Sequence, residues 1–283
     1  STNAINIISL VSGVAMLFGT MALILVLSVF NGLEGLVKSL YAVFYPDIAV
    51  SAIEGKTFEI TPSLRDKLKS IHYIDAYSFT LEENALLEYS DRQHICTIKG
   101  VDKNYFNVVN KFDTFIVEGK KLLQQDSINY GIVGVGVAQK LGMDPARAFN
   151  PIALYIPKKT GASFSTLENA FNKSYVTPSG AFAVSDEFDS RYTFVPLDFF
   201  QQLTDNSGRA SQIEIRLKNK IQSDAIIRQL QQLLGSSFII KSRYEQNEVL
   251  YKVLKSEKWI TFAILVLIMI IASFNIIGAL SML

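Results

Sequence analysis

Reactive side chains are scarce in this sequence: 283 residues hold one cysteine and two histidines. A single thiol, Cys96, excludes an internal disulfide and leaves the redox compartment unreported. His72 and His94 give a nucleophile–histidine–acid arrangement little material. Asp91, His94 and Cys96 lie close together, but no second ligand group accompanies them at zinc spacing, and a strand surface accounts for them. No G-x-x-x-x-G-K-[ST] loop is present. Gly134-Val-Gly136-Val-Ala-Gln-Lys140 has the wrong spacing and continues into Leu141. The run Gly131-Ile-Val-Gly134-Val-Gly136 is not G-x-G-x-x-G either, and reads as a strand entering a short helix. Glu82-Glu83 reads as a solvated turn. An excess of one charge is also lacking: 27 basic residues face 26 acidic ones, net +1. That leaves no electrostatic footprint for nucleic acid. Catalysis within this chain is not expected.

Charge is missing altogether from two long stretches, Ser1–Leu33 and Trp259–Leu283. Crossing a bilayer takes about 20 apolar residues in a helix, and each stretch is long enough. A cleaved signal peptide fits Ile5–Phe30 poorly: the run is too long, lacks a basic leader, and Asn31-Gly32-Leu33-Glu34 is no small-residue cleavage site. We therefore expect two transmembrane helices flanking a folded domain. The chain reads as incomplete, stopping inside its second apolar run.

The first helix is expected to continue past the membrane surface, because Leu33, Leu36, Val37, Leu40 and Tyr41 repeat on one helical face. Pro46 ends it. The second is expected to begin at Ser242-Arg-Tyr-Glu245, a capping-box pattern. A stalk from Ser242 to Lys258 would be about 25 Å long at helical rise. Leu250, Val253 and Leu254 give it an apolar stripe, and packing the two stalks together would lift the domain off the membrane. Trp259 stands where an aromatic-belt residue belongs. Ser9 with Gly13, and Ala15 with Gly19, have the small-xxx-small spacing of close helix packing, and Asn275 is a polar group for hydrogen bonding across helices.

Between the helices the pattern is α+β. Asp47–Ile53 is strand-like. Thr61-Pro62 is an N-cap and N1 pair opening a helix through Lys69. Strand runs follow at Ile71–Phe79, Ala85–Tyr89 and Ile95–Val101. A matching unit closes the domain: strand Gln212–Leu217, a helical face of Ile221, Ile226, Ile227, Leu230, Leu233 and Leu234, and strand Phe238–Lys241. Two such units around an inserted middle suggest a split subdomain carrying a strand-rich one. The expected division is helix and stalk 1–45, split subdomain 46–110 and 191–241, insert 111–190, and stalk and helix 242–283. Within the insert, strand-like Ile152–Ile156 and Ala181–Val184 bracket a long polar tip, 158–180, that carries Phe164, Leu167 and Phe171. It is either a docking element or a loop folded back on its own domain.

Gly19-Thr-Met-Ala-Leu-Ile-Leu-Val-Leu-Ser-Val-Phe-Asn-Gly-Leu-Glu34 resembles the first membrane helix of the LolC/LolE family, permease subunits of the lipoprotein-releasing ABC transporter of Gram-negative bacteria. Further resemblances follow in order: Ile98-Lys-Gly-Val-Asp102, Ile132-Val-Gly134 with Val137-Ala-Gln-Lys-Leu-Gly142, Glu257-Lys258, and Ala272-Ser-Phe-Asn-Ile-Ile277. The resemblance implies a MacB-like periplasmic domain made of a split α/β porter subdomain and an inserted β-rich sabre. It implies an FtsX/MacB-like inner-membrane permease with four transmembrane helices, two of them beyond Leu283. It further implies a second permease subunit, a LolD-like ATPase dimer that holds ATP and magnesium (this chain holding no cofactor), a LolA-like carrier and a triacylated lipoprotein cargo. Lys252, Lys255 and Lys258 lean the other way on orientation, but loops this long translocate largely regardless of charge. In the family, acyl chains enter a cavity between the first two spans. Met21, Leu25, Val29, Ile264, Leu267, Ile268 and Ile271 are the candidate lining, with bulk lipid as the alternative neighbour. By position, 158–180 falls at the family's hook, with Phe164, Leu167 and Phe171 for apolar contact and Lys158, Lys159 and Lys173 for steering. A MacB-like efflux permease and an FtsX-like signalling subunit are the rival readings.

Overall fold

The computed structural model describes residues 2–109, 111–145, 147, 150–158, 170–219 and 223–281. The chain divides into two compact units: Ser1–Ser39 with Asn247–Leu283, the helical unit, and Leu40–Gln246, the head. Helix α1 (Thr2–Phe44) contains no proline and runs unbroken until Tyr45, the residue that Pro46 restricts to extended backbone. Its last turn belongs to the head. Within it, Leu17–Val37 is long and apolar enough to cross a membrane, at mean hydropathy 1.8, and is the one such stretch found among the described residues. The second charge-free run lies in helix α9 (Glu248–Ser281).

In the head, short-range sequence signals set the elements. They run β1 (Ile48–Ala52), β2 (Phe58–Glu59), α2 (Pro62–Ser70), β3 (Ile74–Tyr89), β4 (Arg92–Val101), α3 (Tyr105–Val108) and a 3-10 turn at Phe112–Phe115. Next come β5 (Ile116–Gly119), β6 (Gln124–Gln125), β7 (Ile128–Gly134), α4 (Val135–Leu141), β8 (Ile152–Pro157), β9 (Phe171–Phe182), α5 (Asp186–Asp189) and β10 (Tyr192–Pro196). The head closes with α6 (Leu197–Leu203), β11 (Arg209–Ala210), β12 (Gln212–Leu217), α7 (Ser223–Leu234), β13 (Phe238–Ser242) and α8 (Arg243–Gln246).

Helix α2 starts as expected. Thr61 Oγ1 accepts from Leu64 N at 3.2 Å, with proline in the first turn. The capping box also forms: Ser242 N donates to Glu245 Oε2 at 2.7 Å, and Glu245 N donates to Ser242 Oγ at 3.3 Å. It caps only α8, however. Asn247 separates α8 from α9, so Ser242–Lys258 is not one continuous helix. The glycines 131, 134 and 136 do mark a strand passing into a short helix. A Cβ on Gly134 would collide with the Asp189 carbonyl, and one on Gly136 would lie 2.8 Å from Ser190 Cα. Gly134 and Gly136 thus let the end of α5 and Ser190 approach closely.

Most strands join one mixed sheet in the order β13-β1-β12-β3-β4-β10-β7-β9-β5, with β8 bridging β3 and β9. The pairs β4–β10 and β7–β9 are parallel; the other pairs are antiparallel. The head is thus α+β. Strand β3 departs from expectation. The runs Ile71–Phe79 and Ala85–Tyr89 are separate in sequence, yet β3 is one strand of 16 residues, and Glu82-Glu83 lies in its middle instead of a turn. Each carboxylate has a lysine partner. Lys99 stands opposite Glu82 on β4, and Lys56 reaches Glu83 at 3.3 Å.

Two cores flank this sheet. An aliphatic one includes Ile48, Val50, Leu64, Leu68, Phe79, Ile213, Ile215, Ile226 and Leu230, joining α2 and α7 to the strands. Ile221, expected on the α7 face, lies outside the described residues. The second core is aromatic: Phe44, Tyr105, Phe112, Phe182, Phe188 and Phe194. Phe44 stacks on Phe188 with centroids 4.0 Å apart, and Phe194 meets Phe112 edge-on at 5.2 Å.

Candidate functional site

In the helical unit the apolar side chains point outward. Met21, Leu25 and Val29 recur every four residues along α1 and are 53–61% exposed. Ile264, Leu267, Ile268 and Ile271 on α9 are 50–57% exposed. Among the described residues nothing covers them, and they form an exposed apolar surface. Where the charge-free runs end, Lys258 Nζ of α9 donates to Asn31 Oδ1 of α1 at 2.8 Å and to Glu34 Oε2 at 3.5 Å. A part-exposed pair of this kind contributes about 0–1 kcal/mol in water. It ties the two helices at one level all the same. The side chains of Ser9, Ala15 and Asn275 lie outside the described residues.

The docking candidates divide. Lys159, Phe164 and Leu167 lie outside the described residues. Lys158 is exposed, and its N donates to Ala170 O at 2.9 Å, closing the β8–β9 ladder. Phe171 and Lys173 stand on strand β9, so the region 158–180 is not one long loop: β9 runs straight to Phe182. Lys173 Nζ sits over the rings of Tyr155 and Tyr175, 4.7 and 5.2 Å from their centroids. Hydrogen bonding to Tyr155 and then Tyr175 holds its ammonium above the ordinary lysine value. This lysine sits on its own sheet face, with Tyr175 half-exposed beside it.

Sequence reasoning missed a buried ion cluster. Lys99 Nζ lies 2.5 Å from Glu214 Oε1 and 2.9 Å from Glu82 Oε1, and Thr80 Oγ1 donates to Glu214 Oε1 at 3.2 Å. Burial works against the Lys99 charge, but Glu214 and then Glu82 outweigh it and hold the ammonium well above its ordinary value. Burial pushes the Glu214 carboxyl up against the pull of Lys99. Glu214 is hidden in an alternating strand, Gln212–Leu217, where period two assigns polar residues to solvent. The one available signal was a lysine and a glutamate in strands otherwise rich in isoleucine.

Of the other reactive groups, Cys96 is buried on β4, and burial pushes its thiol up to about 12. His94 Nε2 lies 3.2 Å from the Ser190 carbonyl. Among the described residues no group of three or more His, Cys, Asp or Glu is placed to hold a metal ion.

A family model described as MacB-like periplasmic core domain matches residues 9–233. The chain is 26% identical over 287 aligned residues to the lipoprotein-releasing system transmembrane protein LolC of Buchnera aphidicola subsp. Schizaphis graminum (strain Sg). That alignment covers 98% of this chain and 66% of LolC, so the chain spans just under two thirds of that relative's length. Among solved structures, the periplasmic region of MacB from Actinobacillus actinomycetemcomitans aligns at TM-score 0.49 and 12% identity, covering 72% of this chain and 92% of that one. The extracellular domain of the noncanonic ABC-type transporter YknZ from Gram-positive bacteria aligns at TM-score 0.48 and 12% identity, covering 69% and 99%.

Proposed function

The chain belongs to the MacB-like periplasmic core domain family, and from that premise we propose that it is a permease subunit of an ABC transporter that releases lipoproteins from the inner membrane. The observation that carries the reading is the match to LolC over 98% of this chain. On this reading α1 and α9 both cross the inner membrane and the head is periplasmic. Residues 46–110 and 191–241 form the porter and 111–190 the sabre. This chain performs no catalysis: ATP and magnesium act on a LolD-like ATPase dimer, and a second permease subunit completes the assembly.

The physical need is plain. Each acyl CH₂ exposed to water costs about 0.8 kcal/mol. Extraction of a triacylated lipoprotein therefore requires work from outside this chain and an apolar shelter within it. Met21, Leu25, Val29, Ile264, Leu267, Ile268 and Ile271 supply that shelter in our proposal, and their exposure in the helical unit supports it. The β8–β9 hairpin hands the cargo to a LolA-like carrier, with Lys158, Lys159, Phe164, Leu167, Phe171 and Lys173 as its contact set. Complementation tests the reading. In cells depleted of their own permease, the full-length protein is expected to restore lipoprotein transfer to the outer membrane. Lipoproteins still retained in the inner membrane, with the protein expressed and inserted, would refute it. Deleting 159–169 is expected to abolish carrier pull-down, and undiminished binding would reject the hairpin's role.

A further inference from the structure

The sheet face that carries the Lys99 cluster borders a cavity of about 230 Å³ inside the head. Pockets for drug-sized ligands run to about 300–1,000 Å³, so this one suits a small polar group. Its walls include the rings of Phe44, Tyr45, Phe188 and Tyr192. Its polar lining is asymmetric. At the inner end Lys99 faces two carboxylates, Glu82 and Glu214, a net charge of −1 when both are ionised. At the exposed end stands Lys241. One row of the sheet connects the two ends, because Ala49 is in register with Glu214 on one side and Lys241 on the other. The alanine methyl leaves that row open.

Two acceptors in this lining have no donor among the described residues. Glu214 is fully buried, and its Oε2 has no hydrogen-bond partner. Gln246 Oε1 is likewise shielded and unpartnered, while its Nε2 is committed to the Pro46 and Lys241 carbonyls at 3.2 and 3.3 Å. Buried acceptors are nearly always satisfied. The cavity therefore calls for a donor with several N–H groups, positively charged to match its inner end and tolerant of aromatic walls. An ammonium group meets all three demands. The cation at the rim calls for an anion on the same ligand.

We propose that this cavity binds a phosphoethanolamine group, its ammonium donating to Glu214 Oε2 and Gln246 Oε1 and its phosphate meeting Lys241. The group arrives either as a lipid headgroup or as the free compound. The site does not depend on the cargo that the transporter carries.

The test uses the full chain purified in phospholipid-free detergent, with calorimetric titration of O-phosphoethanolamine, ethanolamine and inorganic phosphate in separate arms. Phosphoethanolamine is expected to bind more tightly than either fragment. Glu214→Gln and Lys241→Glu are each expected to weaken it about tenfold, the loss of one charge-assisted contact. Lys241→Glu is not expected to weaken ethanolamine. That strand position is exposed, so the substitution keeps the test valid if Glu214→Gln disturbs folding. A parallel arm compares thermal midpoints in phosphatidylethanolamine and phosphatidylglycerol nanodiscs. A higher midpoint in the former supports the site and assigns it to lipid; equal midpoints with soluble binding support it and assign the free compound. Absence of saturable phosphoethanolamine binding together with equal midpoints in the two nanodiscs, leaving the cavity to water, would overturn the proposal. So would wild-type affinity in both variants.

Discussion

Val29 in the helical unit is 61% exposed, whereas Val50 in the head is fully buried. The same contrast holds for Leu25 against Leu81, and for Ile268 against Ile213. Residues of one chemical kind follow opposite rules in the two units. In the head, apolar faces close on one another through a sheet with a core on either side. In the helical unit Val29, Leu25 and Ile268 face outward, and among the described residues nothing covers them.

Single substitutions sharpen this contrast. Phe194→Ala in the head removes a ring that touches Phe44, Tyr105, Phe112 and Phe182. It is expected to cost about 3–5 kcal/mol of stability, read from urea unfolding of the detergent-solubilised chain. Lys99→Met would leave two carboxylates facing each other without their cation, a loss of about 3–5 kcal/mol by analogy with broken buried pairs. Glu82 remains 29% exposed, which places the effect toward the lower end. The double variant Lys99→Met with Glu214→Leu should recover much of that loss; a double variant as unstable as the single one would show that the ion cluster does not act as a unit.

The same cluster sets an alkaline limit. Lys99 in the folded head holds its proton above the ordinary 10.5, so its contribution is complete below that pH and is lost as pH rises through the higher folded value. The urea midpoint is expected to fall above about pH 10.5, and more steeply in the wild type than in Lys99→Met. Equal slopes would remove Lys99 as the cause. In the helical unit, Val29→Ala should change stability in detergent by no more than about 0.5 kcal/mol, as at a surface position. A loss comparable to Phe194→Ala would break the comparison. The smallest effect concerns Cys96. With its thiol buried and pushed up to about 12, it should resist alkylation at pH 8 until the head unfolds.

Local signals made much of the head legible. Thr61-Pro62 marked a helix start to the residue, alternation marked β12, and the Ser242–Glu245 box was identifiable from spacing alone. Three features escaped because they depend on partners distant in sequence. Glu82-Glu83 looked like a turn, since nothing nearby shows that Lys99 will lie across from it. Glu214 stands where strand alternation assigns solvent, and nothing nearby in sequence marks Lys99 as its partner. Phe171–Gly180 looked like loop because its polar residues hide a strand whose ladder to β8 and parallel pairing to β7 are non-local. The exposed faces of α1 were legible as a lack of charge, but helical periodicity assigns no particular face when every face is apolar.

The most direct test of the transporter account places a photocrosslinking residue at Leu25, Val29 or Leu267 and asks what it captures in membranes containing a lipoprotein with labelled acyl chains. The account expects adducts to the lipoprotein acyl chains that disappear when ATP and carrier are supplied. Crosslinks to phospholipid alone at all three positions, unchanged by ATP, would contradict it.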